Sequence, residues 1–150
     1  IILMKIVVLK FGGTSVGTID RIKKVADLIA IYIKKKYKVI VVSSAMSGTT
    51  NDLVKKSKEI SNNFYDAEYD VLVSSGEQVA CALIAARLIH NGYKSRSWMG
   101  WQVPIITDYK YKNSKINLIS KSKIIKYLKS GGIPIVTGFQ GINHEGRITT

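Results

Sequence analysis

Residues 5–17 of the chain read KIVVLKFGGTSVG, a strand pattern that runs directly into a glycine loop. The segment Lys5–Phe11 is short, apolar and rich in β-branched residues, which predicts a buried strand. The two glycines that follow predict a tight loop. From Ile19 onward, apolar residues recur every three or four positions. This spacing predicts an amphipathic helix, and Thr18 is placed to be its N-cap.

The same alternation of strand, loop and helix continues along the chain. The further predicted strands are Val39–Ser43, Lys94–Trp98, Val103–Thr107 and Ile133–Thr137. The further predicted helices are Thr50–Ser61, Asp66–Ser74, Glu77–Asn91 with Gly92 as its C-terminal cap, and Ser122–Lys129. A turn at Asn143–Gly146 is expected to join a terminal hairpin. This order predicts an α/β domain with a mainly parallel sheet, which binds ligands beyond the carboxyl ends of its strands.

The composition indicates one folded domain. Of the 150 residues, 46% are hydrophobic, and no repeat or low-complexity linker divides the chain. The net charge is +13. The lysines are scattered, however, and are better explained as exposed helix faces than as a nucleic-acid surface, which needs basic and aromatic residues clustered on one face. We therefore expect no nucleic-acid partner, although the positive field would favour an anionic substrate.

The low numbers of cysteines and histidines argue against disulfide-bonded and metal-binding classes of protein. Cys81 is the single cysteine and lies in an apolar stretch, so we interpret it as a buried thiol and expect no disulfide. His90 and His144 have no second ligand at metal-binding spacing, and no metal site built from side chains is expected. No apolar run approaches the roughly 18 residues of a membrane span. The first residues also lack a charged leader and a cleavage site, so we expect no signal peptide.

The loop after the first predicted strand has the residues that a polyphosphate needs. Gly12 and Gly13 allow backbone N–H groups to come close to an anion, and the following helix adds a favourable partial charge. Lys10 supplies a full positive charge beside them. The lysine precedes the glycines, so this is neither the Walker pattern nor the dinucleotide-binding pattern. A plain turn would explain the two glycines equally well.

Two further segments carry candidate polar groups. Residues 43–52 read SSAMSGTTND and place hydroxyls and an amide between a strand and a helix. Capping of that helix by Thr50 or Asn51 is the alternative to ligand binding. Glu77 is expected to open the apolar helix Glu77–Asn91. There it would either complement the helix dipole or act as a fixed anion for a ligand ammonium group.

Taken together, these motifs resemble the N-terminal part of the aspartate kinases. They are KFGGTSV at 10–16, SAMSG at 44–48, GEQ at 76–78, GWQ at 100–102 and TGFQG at 137–141, in the order in which that family has them. The resemblance covers essentially the whole chain. It implies the α/β three-layer sandwich of the amino acid kinases. It also implies transfer of the γ-phosphoryl group of ATP to the side-chain carboxylate of L-aspartate, the step that opens the route to lysine, threonine, methionine and diaminopimelate.

The resemblance assigns roles to individual residues, with Lys10 as the catalytic cation. The residues expected to hold ATP are Lys10, Phe11, Gly12, Gly13, Ser15 and Ser44. The residues expected to hold aspartate are Ser44, Thr50, Asn51, Asp52 and Glu77, with Glu77 facing the α-ammonium group. Mg²⁺ is expected to arrive with ATP, and the complete protein is expected to be cytoplasmic and a homo-oligomer.

The resemblance also implies parts that these residues do not include. After Thr150 the family continues into a glycine-rich stretch with an arginine and an aspartate, then the nucleoside-binding half and the regulatory ACT domains. We therefore expect the domain to be cut before it is complete, and the 150 residues alone not to phosphorylate aspartate. The alternatives are another amino acid kinase acting on a different small carboxylate, a non-catalytic remnant, and a basic nucleic-acid-binding module.

Overall fold

The computed structural model describes residues 5–150. In chain order its elements are β1 (Ile6–Phe11), α1 (Ile19–Lys34), β2 (Lys38–Ser43), α2 (Thr49–Ile60), α3 (Asp66–His90), β3 (Ser95–Trp98), β4 (Ile105–Thr107), β5 (Ile116–Ile119), α4 (Ser122–Lys129), β6 (Ile133–Thr137), β7 (Gly141–Ile142) and β8 (Ile148–Thr149). The predicted strands β1 to β4 and β6 are confirmed with small shifts at their ends, as are the helices α1, α2 and α4. The caps predicted for α1 and α3 are also confirmed. The Thr18 side chain accepts a hydrogen bond from the Arg21 N–H, and Gly92 follows α3 with a φ of +85°.

The main sheet, sheet A, has the strand order β1-β2-β6-β3, and all of its strands are parallel. Helices α1 and α3 pack on one face of this sheet and α4 packs on the other. The largest core lies under α1 and α3, where Ile29, Ile84 and Ile135 are fully buried. The chain therefore has the three layers and the parallel sheet expected of it. The carboxyl ends of β1, β2 and β6 meet at one edge.

Helix α3 differs from the prediction, because the two expected helices Asp66–Ser74 and Glu77–Asn91 form one helix of 25 residues. Gly76, which suggested a break, lies inside it. A Cβ built on Gly76 would come 2.8 Å from the Cβ of Ala45. The glycine is thus explained by the close approach of α3 to the loop after β2, and Glu77 does not begin a helix.

Helix α3 is also long and apolar enough to cross a membrane, judged by length and composition alone. It packs against β3, β6 and α1, and 50% of its most apolar window is buried. The apolar character of α3 is therefore accounted for by its place in the core, where it packs against α1 and sheet A.

A second small sheet, sheet B, was only partly predicted. Its order is β5-β4-β7-β8, with antiparallel pairs except for β4 and β7, so the expectation of a mainly parallel sheet holds for sheet A alone. The terminal hairpin of β7 and β8 is confirmed. Strand β5 was missed, since its sequence INLI follows a lysine-rich loop and all four of its residues are exposed.

Candidate active site

The glycine loop and the loop after β2 lie side by side. Strands β1 and β2 pair in register, so Phe11 stands opposite Ser43, and the Ser44 N–H donates to the Phe11 carbonyl at 3.0 Å. A Cβ on Gly13 would lie 3.1 Å from the carbonyl oxygen of Ala45. Glycine at position 13 therefore lets the two loops touch, and residues far apart in sequence form one surface at the strand ends.

Lys10 lies at the carboxyl end of β1, two residues before the first glycine of the loop. The alternation of strand β1 places it on the same face as Val8, and its side chain is exposed. Among residues 5–150 it makes no ion pair, which leaves its charge available to a ligand. The neighbouring Phe11 is buried in the main core, so its side chain cannot reach a ligand.

A cavity of about 360 Å³ opens between the two loops and α3. It brings together the predicted site residues Gly13, Ser44, Thr50, Asn51 and Glu77. The cavity lining does not include the predicted residues Lys10, Phe11, Gly12, Ser15 and Asp52.

Thr50 and Asn51 do not serve as helix caps. Helix α2 begins at Thr49, and its N-cap is Gly48, with a φ of +85° and no side-chain cap. Thr50 and Asn51 lie in the first helical turn and are among the residues that line the cavity. The capping interpretation of these two residues is therefore wrong, and both remain candidates for contact with a ligand.

Glu77 is the most unusual group in the cavity wall, since its side chain is only 3% exposed. The Ala45 N–H donates to Oε1 at 3.0 Å, while Oε2 is buried with no hydrogen-bond partner among the described residues. A buried carboxylate without a cation is costly. Burial raises the pKa of the Glu77 carboxyl above its ordinary value of 4.5, and the hydrogen bond from Ala45 opposes that rise only in part.

Cys81 lies one helical turn from Glu77 and is fully buried, as predicted. Burial, and after it the nearby charge of Glu77, raises the pKa of the Cys81 thiol to about 12. The thiolate is therefore negligible at neutral pH, so the thiol packs as an apolar group and has no nucleophilic role.

Two residues of the loop between β6 and β7 were not predicted as site residues. Phe139 is 52% exposed, has a φ of +53° and contributes to the cavity wall. A positive φ is unusual for a bulky residue, so the surrounding structure must hold Phe139 in this backbone conformation. The signal was present in the sequence as TGFQG at 137–141, but nothing local to that motif distinguishes the exposed Phe139 from a core aromatic.

Gln140 holds this loop against α3. Its Nε2 donates to the Ser74 carbonyl at 3.0 Å, and its Oε1 accepts from the Gly100 N–H at 3.2 Å. The side chain is buried, and Ser74 lies one turn before Glu77 on α3. Gln140 therefore fixes the position of Phe139 relative to the carboxylate.

Chemically, the site combines a region suited to an anion with a region suited to a cation. Glycine N–H groups, hydroxyls and Lys10 favour an anion, whereas the unpaired Oε2 of Glu77 favours a cation. Within residues 5–150 no three His, Cys, Asp or Glu side chains are grouped to hold a metal ion. This arrangement is suited to a small molecule carrying both charges next to a polyphosphate.

Comparison with known proteins agrees with this geometry. Residues 5–150 match the model of the amino acid kinase family. The chain is 47% identical over 150 residues to an aspartokinase of Rickettsia conorii and 47% identical over 147 residues to one of Geobacillus stearothermophilus. These matches cover 98% of this chain but 37% and 36% of the two relatives. The chain thus spans little more than a third of the curated relatives it matches, at their N-terminal part.

Two solved structures have the same fold. The aspartate kinase of Synechocystis is 37% identical with a TM-score of 0.78, over 97% of this chain and 24% of that one. E. coli aspartokinase III is 23% identical with a TM-score of 0.83, over 97% of this chain and 43% of that one. At that identity the E. coli enzyme supports the fold alone.

Proposed function

The chain belongs to the amino acid kinase family, and on that premise we propose that it is the N-terminal part of the catalytic domain of an aspartate kinase. The reaction would transfer the γ-phosphoryl group of ATP to the side-chain carboxylate of L-aspartate, giving 4-phospho-L-aspartate. The relatives described as aspartokinases at 47% identity support this choice within the family.

The observation that carries the proposal is the buried Oε2 of Glu77, which has no hydrogen-bond partner among residues 5–150 and belongs to a cavity lined by Ser44 and Thr50. A carboxylate left unpaired in a low-dielectric site gains most from a ligand cation. The α-ammonium group of aspartate is such a cation. Ser44 and Thr50 in the cavity wall would then face the carboxylates of the same molecule. E. coli aspartokinase III, which has this fold, was solved in complex with aspartate and ADP.

The chemistry needs little from the protein beyond position and charge. The side-chain carboxylate of aspartate has an ordinary pKa of about 4 and is already ionised at neutral pH, so no general base is required. The barrier is the repulsion between two anions. In this proposal Lys10 and the loop Gly12–Ser15 hold phosphate oxygens, Ser44 lies between the two substrates, and Thr50, Asn51 and Asp52 assist in holding aspartate.

The proposed reaction also needs Mg²⁺ and protein groups that lie outside residues 5–150. No acidic cluster among residues 5–150 fits a resident metal, so Mg²⁺ would be bound through the ATP phosphates. The nucleoside-binding half, the arginine that grips the α-carboxylate and the ACT domains would come from a longer polypeptide. We place that protein in the cytoplasm as a homo-oligomer, where its product enters lysine, threonine, methionine and diaminopimelate synthesis.

The test uses a chimera in which residues 1–150 replace the matching part of the Rickettsia conorii aspartokinase. Activity is measured with ATP, Mg²⁺, aspartate and hydroxylamine as formation of aspartyl hydroxamate. Glu77→Gln keeps an acceptor for the Ala45 N–H but removes the charge. It is expected to raise KM for aspartate at least tenfold and to leave KM for ATP within about twofold.

Succinate, which is aspartate without its ammonium group, provides the second measurement. The wild-type chimera should strongly prefer aspartate over succinate, and Glu77→Gln should remove most of that preference. The matched control is Glu59→Gln, an exposed carboxylate on α2. Equal effects of Glu77→Gln on both KM values, or an unchanged preference, would contradict the substrate role. Turnover of another small carboxylate in place of aspartate would favour the alternative within the family.

A further inference from the structure

The positive charge of the chain is carried mostly by its second half. Residues 78–144 contain ten lysines and arginines, whereas Asp108 is the only acidic residue in that stretch. The structure brings several of these cations together where β3 meets α4. Strand β3 is the edge strand of sheet A opposite β1, and α4 packs on the face of the sheet away from α1 and α3. These cations therefore lie at the opposite edge of the sheet from the glycine loop that follows β1.

Two cations of β3 lie over aromatic rings on the α4 side of the sheet. Lys94 and Arg96 are both exposed. Lys94 Nζ is 5.5 Å from the ring centroid of Tyr127, and the guanidinium carbon of Arg96 is 4.1 Å from the ring centroid of Trp98. The two rings contact each other edge to face, with centroids 5.6 Å apart. Lys94 also donates to the Ser130 hydroxyl at 3.0 Å. Strand β3 and helix α4 thus form one continuous surface.

Helix α4 adds two further cations to this surface. Lys123 and Lys126 are exposed, and they precede Tyr127 by four residues and one residue. Positions three and four apart are neighbours on a helix, so Lys123 stands beside both Tyr127 and Lys126. We call the surface formed by Lys94, Arg96, Lys123, Lys126 and Tyr127 the basic patch. None of its four cations forms an ion pair within residues 5–150.

The basic patch is suited to an anion, but not to the bases of a nucleic acid. Like charges held close together repel one another, and a bound anion relieves that repulsion. Single-stranded nucleic acids, however, stack their bases on open aromatic faces. Trp98 is only 5% exposed and has Arg96 over its ring, and Lys94 lies over the ring of Tyr127. The rings therefore hold two cations in place and offer no open face to a base.

The free edge of β3 favours a polypeptide as the source of the negative charge. The Ile133 N–H of β6 donates to the Lys94 carbonyl at 2.8 Å. Backbone groups alternate between the two sides of a strand, so those of Ser95 and Ser97 point to the open edge of the sheet. That edge has no strand partner in the described chain. An extended polypeptide segment can pair with such an edge through main-chain hydrogen bonds.

We propose that the basic patch and the edge of β3 bind an extended acidic segment of a partner polypeptide, which adds as a strand beside β3. Every second side chain of the added strand lies on the α4 side of the sheet, next to Lys94 and Arg96. Carboxylates at alternate positions then form cross-strand ion pairs with the patch. A second copy of β3 is a poor occupant, because it brings the same cations against each other. The proposal does not involve the cavity around Glu77 and is independent of the proposed reaction.

The test measures the binding of two fluorescent octapeptides by anisotropy. In the first peptide glutamate alternates with threonine, and in the second the same residues are grouped by type. The 150-residue chain is expected to bind the alternating peptide roughly tenfold more tightly, because only that peptide places all its carboxylates on one face of a strand. The affinity should fall as salt is added. The same measurements are made on the chimera with the Rickettsia conorii aspartokinase.

Charge reversal locates the binding surface. Arg96→Glu combined with Lys126→Glu should weaken binding of the alternating peptide at least tenfold. The matched control is Lys24→Glu combined with Lys56→Glu, which changes the net charge equally at exposed lysines of α1 and α2 and should leave the affinity within about twofold. Arg96→Gln combined with Lys126→Gln keeps a side chain over Trp98 and should give a smaller loss. Far-UV circular dichroism and Tm verify that each variant is folded.

Hydrogen exchange at the Ser97 amide distinguishes strand addition from charge attraction alone, and the alternating peptide should slow it several-fold. Equal affinity for the two peptides, equal losses in the two charge-reversal variants, or unchanged exchange at Ser97 would overturn the proposal. Loss of binding in the chimera would do so as well. Tighter binding of a DNA oligonucleotide of equal charge would assign the patch to nucleic acid instead. Dimerisation of the chain that the alternating peptide displaces would assign it to a second copy.

Discussion

At the scale of single residues, Glu77 is the group whose environment differs most from that of an ordinary surface carboxylate. It is buried, and within the described part of the chain only one of its two oxygens has a hydrogen-bond partner. Folding therefore costs free energy at any pH at which Glu77 is ionised. The same cost favours binding of a cation, so stability and function oppose each other at this position.

We predict that Glu77→Gln makes the chain more stable near pH 7–8. The carboxyl pKa is raised in the folded protein above 4.5, its ordinary value in the unfolded chain. Below 4.5 both states are protonated and there is no penalty. As the pH rises from 4.5 through the raised pKa, the unfolded state loses its proton first, and wild-type stability falls. Gln does not titrate, so the variant escapes this loss.

The measurement is Tm as a function of pH for the wild type, Glu77→Gln and the exposed control Glu59→Gln. The gain in Tm from Glu77→Gln should be several degrees near neutrality and should vanish near pH 4. A gain that does not depend on pH would show that packing, rather than charge, explains the variant.

Lys10 is a second case at this scale, because its exposed side chain makes no ion pair with any other described residue. In the chimera, Lys10→Ala is expected to lower kcat by roughly 10²–10³, which is the usual effect of removing one preorganised stabilising group. KM for aspartate should change little. Lys24→Ala, an exposed lysine on α1, is the matched control. Near-full kcat in Lys10→Ala would remove Lys10 from the site.

At the scale of elements, the fold depends on how closely α3 approaches the loop after β2. Gly76 makes that approach possible, and the next residue, Glu77, accepts the hydrogen bond from Ala45. A glycine inside a helix costs about 0.5–1 kcal/mol relative to alanine. Glycine at position 76 therefore lowers the helix propensity of α3 but allows α3 to contact the loop.

We predict that Gly76→Ala destabilises the chain, although alanine is the better helix former. The added Cβ would lie 2.8 Å from the Ala45 Cβ, and such overpacking costs about 1–3 kcal/mol. Ala45→Gly in the same chain should recover much of the loss, because it removes the opposing atom. Urea unfolding of the single and double variants measures both effects. A stabilising Gly76→Ala would show that the loop moves away at no cost.

At the scale of the whole molecule, the described chain carries one part of a site whose other charged groups are expected elsewhere. Phosphoryl transfer depends on all the charged groups around the phosphates, and groups that act as a unit lose most of their effect when some are removed.

We therefore predict that the 150 residues alone do not phosphorylate aspartate, whereas the chimera does. Purified chain is incubated with ATP, Mg²⁺, aspartate and hydroxylamine, and hydroxamate is compared with an enzyme-free blank. The exposed apolar side chains of β1 and β5, among them Val8, Ile116 and Ile119, should also limit its solubility. Turnover above the blank that is abolished by Lys10→Ala would show that the charged groups present here are sufficient.

The sequence by itself determined most of the local structure and the identity of the two loops. Apolar spacing predicted α1, a short basic segment ended by two glycines predicted α4, and β-branched or apolar runs predicted β1, β2 and β6. Thr18 was found as an N-cap. Each of these signals lies within a few neighbouring residues. Lys10, Gly13, Ser44 and Glu77 were selected by motif resemblance and residue chemistry. Their proposed contacts with ATP and aspartate remain predictions.

Only the tertiary structure decided what surrounds these residues. Gly76 predicts a helix break locally, but its contact with Ala45, thirty-one positions earlier in the sequence, places it inside α3. The exposure of β5 and the position of Phe139 likewise depend on partners distant in the chain. The sequence also could not show that Oε2 of Glu77 is buried without a hydrogen-bond partner among the described residues, because burial and partners are decided by packing. Local periodicity carries no information about which distant atoms fill the space around a side chain.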